Sequence, residues 1–203
     1  MRRRVLRSLG CGAMLLLLGA CAGQSVKPIQ ADAGRLAHQA ARESALATHA
    51  SWILRGRLGV SNGQGSGSGS LEWTQNGAAF RFSVQAPITG KTWVLSGDLN
   101  HAVLEGFGEQ PVAGNNAAQL LERELGWRVP VAELAQWARG IRAPGAARIT
   151  FRDDGLPASI EQSGWKVEYL DYDQSVDPPL PSKVFASQGS YKVRVAIREW
   201  VLQ

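Results

Sequence analysis

The 203-residue sequence predicts a mainly β domain with a few helices: about ten short antiparallel strands in one strongly curved sheet. Two helices are inserted mid-chain, and a third precedes the first strand. Three observations predict this class. Runs that alternate apolar and polar residues recur from Trp52 to Phe107 and again from Ala147 to Ile197, each bounded by Gly, Pro or Asn-Gly turn signals. Between residues 115 and 140 the apolar period lengthens from two to three or four. No internal repeat divides the chain, so a single domain over residues 31–203 accounts for it.

Taken in order, residues 22–30 (AGQSVKPIQ) lack an apolar period and read as a tether. Residues 31–50 are Ala-rich with Leu36, Ala40 and Ala47, which predicts a helix whose thin apolar face packs on the outside of something else. WILRGRLGV (52–60) puts Trp52, Leu54, Leu58 and Val60 on one strand face and Arg55 and Arg57 on the other. SNGQGSGSG (61–69) reads as a flexible hairpin loop. SLEWTQ aligns Leu71 with Trp73, and Asn76-Gly77 is a tight-turn signal before AFRFSVQA, where Phe80, Phe82 and Val84 are in phase. Pro87 and Gly90 mark the next turn, with Ile88 between them. By parity Ile88 would be the last core residue of its strand, but Pro87 ends that strand and tips the side chain outward. Trp93, Leu95 and Leu99 then alternate, and HAVLEGF (101–107) is a further strand.

NNAAQLLERELG (115–126) has an Asn cap, good helix formers and Gly126 as its stop. Pro130 opens VAELAQWARG, with Leu134 and Trp137 three apart and Gly140 at the end. Strands resume at ARITF (147–151), LPASIEQ (156–162), GWKVEYLDY (164–172), KVFAS (183–187) and YKVRVAI (191–197). DPPLP (177–181) is a stiff extended connector.

The first twenty residues concern sorting. Arg2, Arg3, Arg4 and Arg7 form a positive n-region ahead of a short apolar stretch, Ala13–Leu18. Leu18-Gly19-Ala20-Cys21 resembles the bacterial lipobox, which implies cleavage before Cys21 and acylation of its thiol and new amino group. The alternative is an ordinary secretory signal with an incidental Cys. With Cys11 discarded and Cys21 acylated, no cysteine remains for a disulfide. Loss of the four arginines leaves 18 Lys and Arg against 17 Asp and Glu, so the basic balance of the whole chain gives no case for nucleic acid.

No catalytic constellation emerges. His38 and His49 sit in the N-terminal helical stretch without Cys or HExxH-like spacing, which argues against zinc, and His101 is alone. The serines cluster in the SGSGS loop without a GxSxG elbow, and that loop lacks the Lys and helix start of a phosphate cradle. Asp153-Asp154 precedes Gly155 in a solvated turn, and Asp171-Tyr172-Asp173 lacks further acids at EF-hand spacing. The expectation is therefore no enzyme, no metal and no cofactor. What stands out is seven tryptophans, at 52, 73, 93, 127, 137, 165 and 200. They suit either a packed core or the wall of a cavity for a greasy ligand, and periodicity does not separate filled from hollow.

Read together, the lipobox, W-x-L-x-G-R (Trp52 to Arg57), LEWTQ, the APITG turn, GWRVPVAELAQWARG (126–140), GWKVEYLDY, Leu180-Pro181 and the terminal Glu199-Trp200 resemble the LolB family of outer-membrane lipoprotein receptors, over nearly all of the chain after Cys21. The resemblance implies an unclosed antiparallel β-barrel of about eleven strands, with helices covering a hydrophobic cavity. It implies a monomer, anchored to the outer membrane through lipid on Cys21 and facing the periplasm. Such a receptor accepts acylated lipoproteins from the similarly folded periplasmic carrier LolA and inserts them into the membrane without nucleotide. The family's cavity tryptophans match Trp73, Trp137, Trp165 and Trp200, and strand phase adds Leu71, Phe80, Phe82 and Ile149. In the family an exposed apolar residue follows the turn proline and serves membrane insertion of cargo; Pro87, Ile88 and Gly90 occupy that loop, with Thr89 added before the Gly. Arg55 and Arg57 read as a solvated or locally paired strand face, with contact to carrier or cargo as the alternative. Ala22 lacks the Asp that retains lipoproteins at the inner membrane in enterobacterial sorting, which supports the outer membrane. The alternative function is a structural outer-membrane lipoprotein with a filled barrel.

Overall fold

The computed structural model of the protein describes residues 28–203. The expected signal peptide, Cys21, Ala22 and most of the tether lie outside them. Among the described residues twelve strands form one sheet: β1 (Ile29–Gln30), β2 (Ser51–Ser61), β3 (Ser66–Asn76), β4 (Ala79–Gln85), β5 (Thr92–Gly97), β6 (Ala102–Glu105), β7 (Val112–Gly114), β8 (Ala147–Phe151), β9 (Pro157–Gln162), β10 (Trp165–Asp173), β11 (Leu180–Gln188) and β12 (Tyr191–Leu202). Their order is β1-β8-β9-β10-β11-β12-β2-β3-β4-β5-β6-β7. Every ladder is antiparallel, as hairpin connections allow. The first long strand meets the last in the long β2–β12 ladder, which runs from Ser61↔Lys192 to Trp52↔Leu202 and fuses the two halves of the chain. The edges β1 and β7 remain unpaired with each other, so the sheet curls without closing.

Among the described residues three helices accompany the sheet: α1 (Ala33–Ala47), α2 (Ala117–Leu125) and α3 (Val131–Ala138). Asn116 caps α2 by accepting from the amides of Ala118 and Gln119, and Gly126 closes it in the left-handed conformation. Inward residues from the whole sheet, including Trp52, Leu54, Leu71, Trp73, Ile160, Val167 and Val195, join Leu120, Leu121, Leu134 and Trp137 of the helices in one hydrophobic core.

The structure corrects several details of the sequence reading. The SNGQGSGSG stretch is a loop only at residues 62–65, because β3 starts at Ser66 and pairs from there with β2. Its alternation is real strand periodicity, Gly67 and Gly69 turned inward and Ser66, Ser68 and Ser70 outward. Leu99 does not continue β5, which ends at Gly97. It sits 69% exposed in a turn where the Asp98 carboxylate accepts from the amides of Asn100 and His101. The proline connector is absorbed into β11 from Leu180, and β12 runs beyond Ile197 through a bulge to Leu202. Ile29 and Gln30, at the end of the expected tether, pair with β8, while β7 is a three-residue strand too short to show alternation. His49 lies beyond the end of α1.

Two buried arginines join α1 to α3. Arg42 of α1 donates to the carbonyls of Gly140 (2.8 Å), Arg139 (2.8 Å) and Pro179 (2.7 Å), reaching the negative end of α3. Arg139 returns the arrangement, donating to the carbonyls of Leu46 (3.2 Å) and His49 (3.3 Å) at the end of α1. Each helix end is thus capped by the other's arginine. Burial lowers both guanidinium pKa values, and the proximity of Arg42 lowers that of Arg139 further. An arginine's ordinary value lies so far above neutral pH that both stay charged.

Glu43 adds a bidentate pair with Arg142 (2.9 and 2.7 Å) and accepts from Gln39 (2.9 Å). Burial works to raise its carboxyl, but the bonds from Arg142 and Gln39 outweigh it and hold the pKa below the ordinary glutamate range. A depressed acid contributes stability fully present above its unfolded value of ~4.3 and lost as pH falls through its folded value. Glu43→Gln is therefore expected to melt below the parent protein at pH 7, with the gap narrowing as pH drops below the ordinary glutamate range. Thermal melts of both proteins across that range provide the check.

Candidate functional site

Six aromatic side chains form a continuous row across the concave face: Trp200–Trp52 (5.5 Å between ring centroids), Trp52–Trp73 (5.2 Å), Trp73–Phe82 (5.2 Å), Phe82–Trp93 (5.7 Å) and Trp93–Trp127 (6.1 Å). Strand register creates it. β12, β2, β3, β4 and β5 are successive neighbours, and each contributes an inward ring at a similar level. The indole N–H groups of Trp73 and Trp200 are satisfied by Gln75 Oε1 (3.1 Å) and the Pro181 carbonyl (2.9 Å), so their apolar faces are available for packing.

Trp73, Phe82, Trp93 and Trp127 wall a partly enclosed cavity of about 30 Å³, completed by Leu58, Val60, Leu95, Val193 and the helix-side residues Leu121, Val129, Val131 and Leu134. A cavity of that size and lining holds only two or three water-sized groups and stays dry. Its cover is the α2–α3 connection, residues 126–130. Trp127 lies on β3 at Gly67, where an added Cβ would touch the indole at 3.4 Å and a larger side chain would lift the ring off the sheet. Beyond packing, the cover is fastened to the sheet by the Asn62 side-chain amide donating to the Gly126 carbonyl (3.2 Å).

The far end of α3 is held differently. Trp137 donates to Gln162 Oε1 (3.0 Å), which also accepts from the Ala143 amide (2.9 Å), while the same Gln162 side chain donates to the Ala143 carbonyl (2.7 Å). Tyr169 donates to the Trp137 carbonyl (3.0 Å) and Tyr172 to that of Pro157 (2.9 Å). Burial drives both phenols well above their ordinary pKa, which keeps them protonated as donors. With Arg42 and Arg139, these bonds make the α3 C-terminus the fixed end and residues 126–130 the loosely held one.

The expected wall residues divide into three groups. Trp73 and Phe82 line the cavity, and Trp200 lies in the aromatic row beyond it. Trp137 and Trp165 form a separate buried pair, centroids 6.3 Å apart, and Leu71 and Ile149 are core residues outside the lining. Phe80 is half-buried and faces a groove on the other side of α3, beside Leu99 and Val131. Strand phase had already aligned Leu58, Val60 and Leu95 with this face. Trp93 and Trp127 complete the lining. Trp127, on a helix connection, carries no periodic signal of its own.

Pro87, Ile88 and Gly90 form the tip of the β4–β5 hairpin, closed by Ala86 donating to the Lys91 carbonyl (2.8 Å) and Gly90 to that of Ala86 (3.1 Å). Ile88 is 96% exposed: Pro87 has turned it out of strand parity. The same hairpin leads directly into Trp93, so the exposed tip and the cavity wall share one end of the sheet. Arg55 pairs on the outer face with Glu72 (2.7 Å) and Glu199 (3.1 Å) of the flanking strands.

The family profile described as "Outer membrane lipoprotein LolB" matches residues 50–200. The chain belongs to the LolB family. Similar relatives, each named outer-membrane lipoprotein LolB, include that of Xanthomonas campestris pv. campestris, 36% identical over 81% of this chain and 78% of the relative. That of Xanthomonas euvesicatoria pv. vesicatoria is 34% identical over 98% of both chains. The protein of Xylella fastidiosa is 35% identical over 94% and 93%. Among solved structures, a DUF1329 family protein from Desulfovibrio piger shares the fold, with a TM-score of 0.51 over 82% of this chain and 91% of that one, at 6% identity. The LolB match makes this chain a lipid-anchored outer-membrane lipoprotein and a receptor in lipoprotein localisation. The twelve-stranded unclosed sheet is consistent with the LolA/LolB-like fold that the sequence resemblance implies.

Proposed function

We propose that this LolB-family protein, acting as a monomer and without nucleotide or covalent chemistry, accepts lipoproteins from the periplasmic carrier LolA by taking their acyl chains against the aromatic row, and passes them to the outer membrane. The observation that carries this reading is the sharing of one end of the sheet by the apolar cavity and the exposed Ile88 tip. Three acyl chains carry roughly 45 methylenes, worth on the order of 30 kcal/mol out of water at ~0.8 each, so they travel only from one apolar site to another. An affinity ladder from carrier to receptor to bilayer then gives direction without a chemical step. The cavity as it stands is far too small for such cargo. Loading therefore requires residues 126–130, the loosely held end of α3, to lift off β3 and expose the row.

Ile88 is too small an anchor to matter for attachment, at roughly 1.5–3 kcal/mol for a buried isoleucine. Its role is to engage the lipid surface at handover. Ile88→Glu is expected to load cargo from the carrier normally and to deliver it to vesicles at a rate reduced on the order of tenfold. Equal loss of both steps, or of neither, contradicts the role. Depletion of the protein is expected to leave lipoproteins accumulated on the carrier.

The small volume is also the observation that favours a second reading, a filled barrel with no transferable ligand. Displacement of a fluorescent hydrophobic probe by acylated peptide separates the two, since a filled barrel binds no displaceable probe.

A further inference from the structure

Five hairpin turns lie at the Ile88 end of the sheet, at residues 62–65, 86–91, 106–111, 163–164 and 189–190. Three of them present only Asn, Gly, Gln and Ser. The other two each present one large apolar side chain to solvent: Ile88 on the β4–β5 turn and Phe107, 58% exposed, on the β6–β7 loop. A single exposed apolar residue needs no explanation. Two, on adjacent tips of the same end, form a feature.

Their adjacency follows from the ladder. β5 lies between β4 and β6, with Gln85↔Thr92 on one side and Val94↔Glu105 on the other. Gly106 packs directly on the start of β5, since a Cβ there would come within 2.2 Å of the Thr92 carbonyl oxygen. Gly106 takes the inward position after Leu104, its φ of +77° turns the chain out of β6 there, and Phe107 follows on the surface. Lys91, beside the Ile88 tip, is exposed and has no carboxylate partner among the described residues. Trp93, the cavity-wall residue, stands on the strand between the two tips.

We propose that Phe107 is a second membrane-contacting residue, and that Ile88 and Phe107 together seat the β4–β7 edge of this end on the bilayer. The inference rests on the reading of the protein as a receptor that delivers acyl chains to the membrane. Two contacts on adjacent hairpins fix an orientation that one contact leaves free to rotate. They place the lipid surface against the strand that carries Trp93, at the rim of the cavity. Lys91 faces anionic headgroups, while Glu105 at the end of β6 and Glu109 on the Phe107 loop limit insertion to the aromatic ring.

The test uses the full acylated chain in phosphatidylethanolamine–phosphatidylglycerol vesicles containing brominated acyl chains. An environment-sensitive dye is placed on a single introduced cysteine at position 88, 107, 99 or 170, the last two being exposed apolar positions away from both tips. Quenching at 88 and 107 but not at 99 or 170 is expected. In addition, Phe107→Glu is expected to weaken the contact read by the dye at 88 on the order of tenfold, which is about 1.4 kcal/mol. Quenching at 88 with none at 107 overturns the second contact and leaves the delivery reading standing. Quenching at neither overturns both. An unchanged signal at 88 in the Phe107→Glu protein also overturns the proposal, and because Phe107 is exposed the fold survives the change.

Discussion

Replacing Arg42 with alanine is expected to lower the melting temperature by about 10 °C. The substitution removes the guanidinium donors to the carbonyls of Arg139 and Pro179 and one of the two donors to Gly140, which Gln39 still reaches (3.0 Å), and water does not readily replace them at a helix–helix contact. An unpaired buried acceptor costs about 1–3 kcal/mol. With partial relaxation the total is about 3–4 kcal/mol, and a domain of this size loses about 2–4 °C per kcal/mol. Lysine is no substitute, because one ammonium does not reproduce the guanidinium fork that reaches three carbonyls. Arg35→Ala, at the exposed pair with Asp32, is the matched control and is expected to stay within about 0.5 kcal/mol of the parent. Thermal melts of the three proteins decide the matter. A shift below about 3 °C for Arg42→Ala would mean that the reciprocal capping does not hold α1 to α3.

Trp127→Glu is expected to fold and to fail at loading. The indole is half-buried at the rim, so its removal costs a few degrees of melting temperature. In the loading step a carboxylate at that position meets acyl chain. A glutamate of ordinary pKa ~4.3 must be neutralised to enter an apolar lining at pH 7, a penalty of about 3–4 kcal/mol and up to several hundredfold in transfer from the carrier. The sign of the pH dependence follows. Above the ordinary glutamate range the penalty is full, and it disappears as pH falls towards about 4, where the acid is already neutral. Transfer assays at pH 7 and at the lowest pH the carrier tolerates measure both. A pH-independent deficit would locate the defect in the cover's packing instead of its charge.

The strands were legible because alternation is local. Trp52, Leu54, Leu58 and Val60 announce an inward face whatever they meet across the barrel, and Asn116 and Gly126 mark the limits of α2 by their own cap chemistry. The site was legible only in part. Parity places Trp73 and Phe82 inward, and both reach the cavity. It places Trp137 on an inward helix face as well, but which part of the interior that face meets depends on Gln162 and Arg42, partners 25 and 97 or more residues away. The Gly-Ser stretch misled for a physical reason: a glycine that makes room for Trp127 is indistinguishable in sequence from one that confers flexibility. Leu99 misled similarly, because Asp98 captures the turn amides and the strand ends at Gly97, two residues before the apolar parity does.

Photo-crosslinking from the cavity to cargo shows whether acyl chains enter the cavity on their way to the membrane. A photoreactive phenylalanine at Leu134, in the lining, or at Phe185, on the outer face beneath Arg194, is exposed to carrier loaded with a lipoprotein of isotopically labelled acyl chains. Label is expected to transfer to position 134 and not to 185, with the signal lost once vesicles are added and the cargo is delivered. Efficient delivery with no acyl label at position 134 would contradict it, since the chains would then have passed through the protein without entering the cavity.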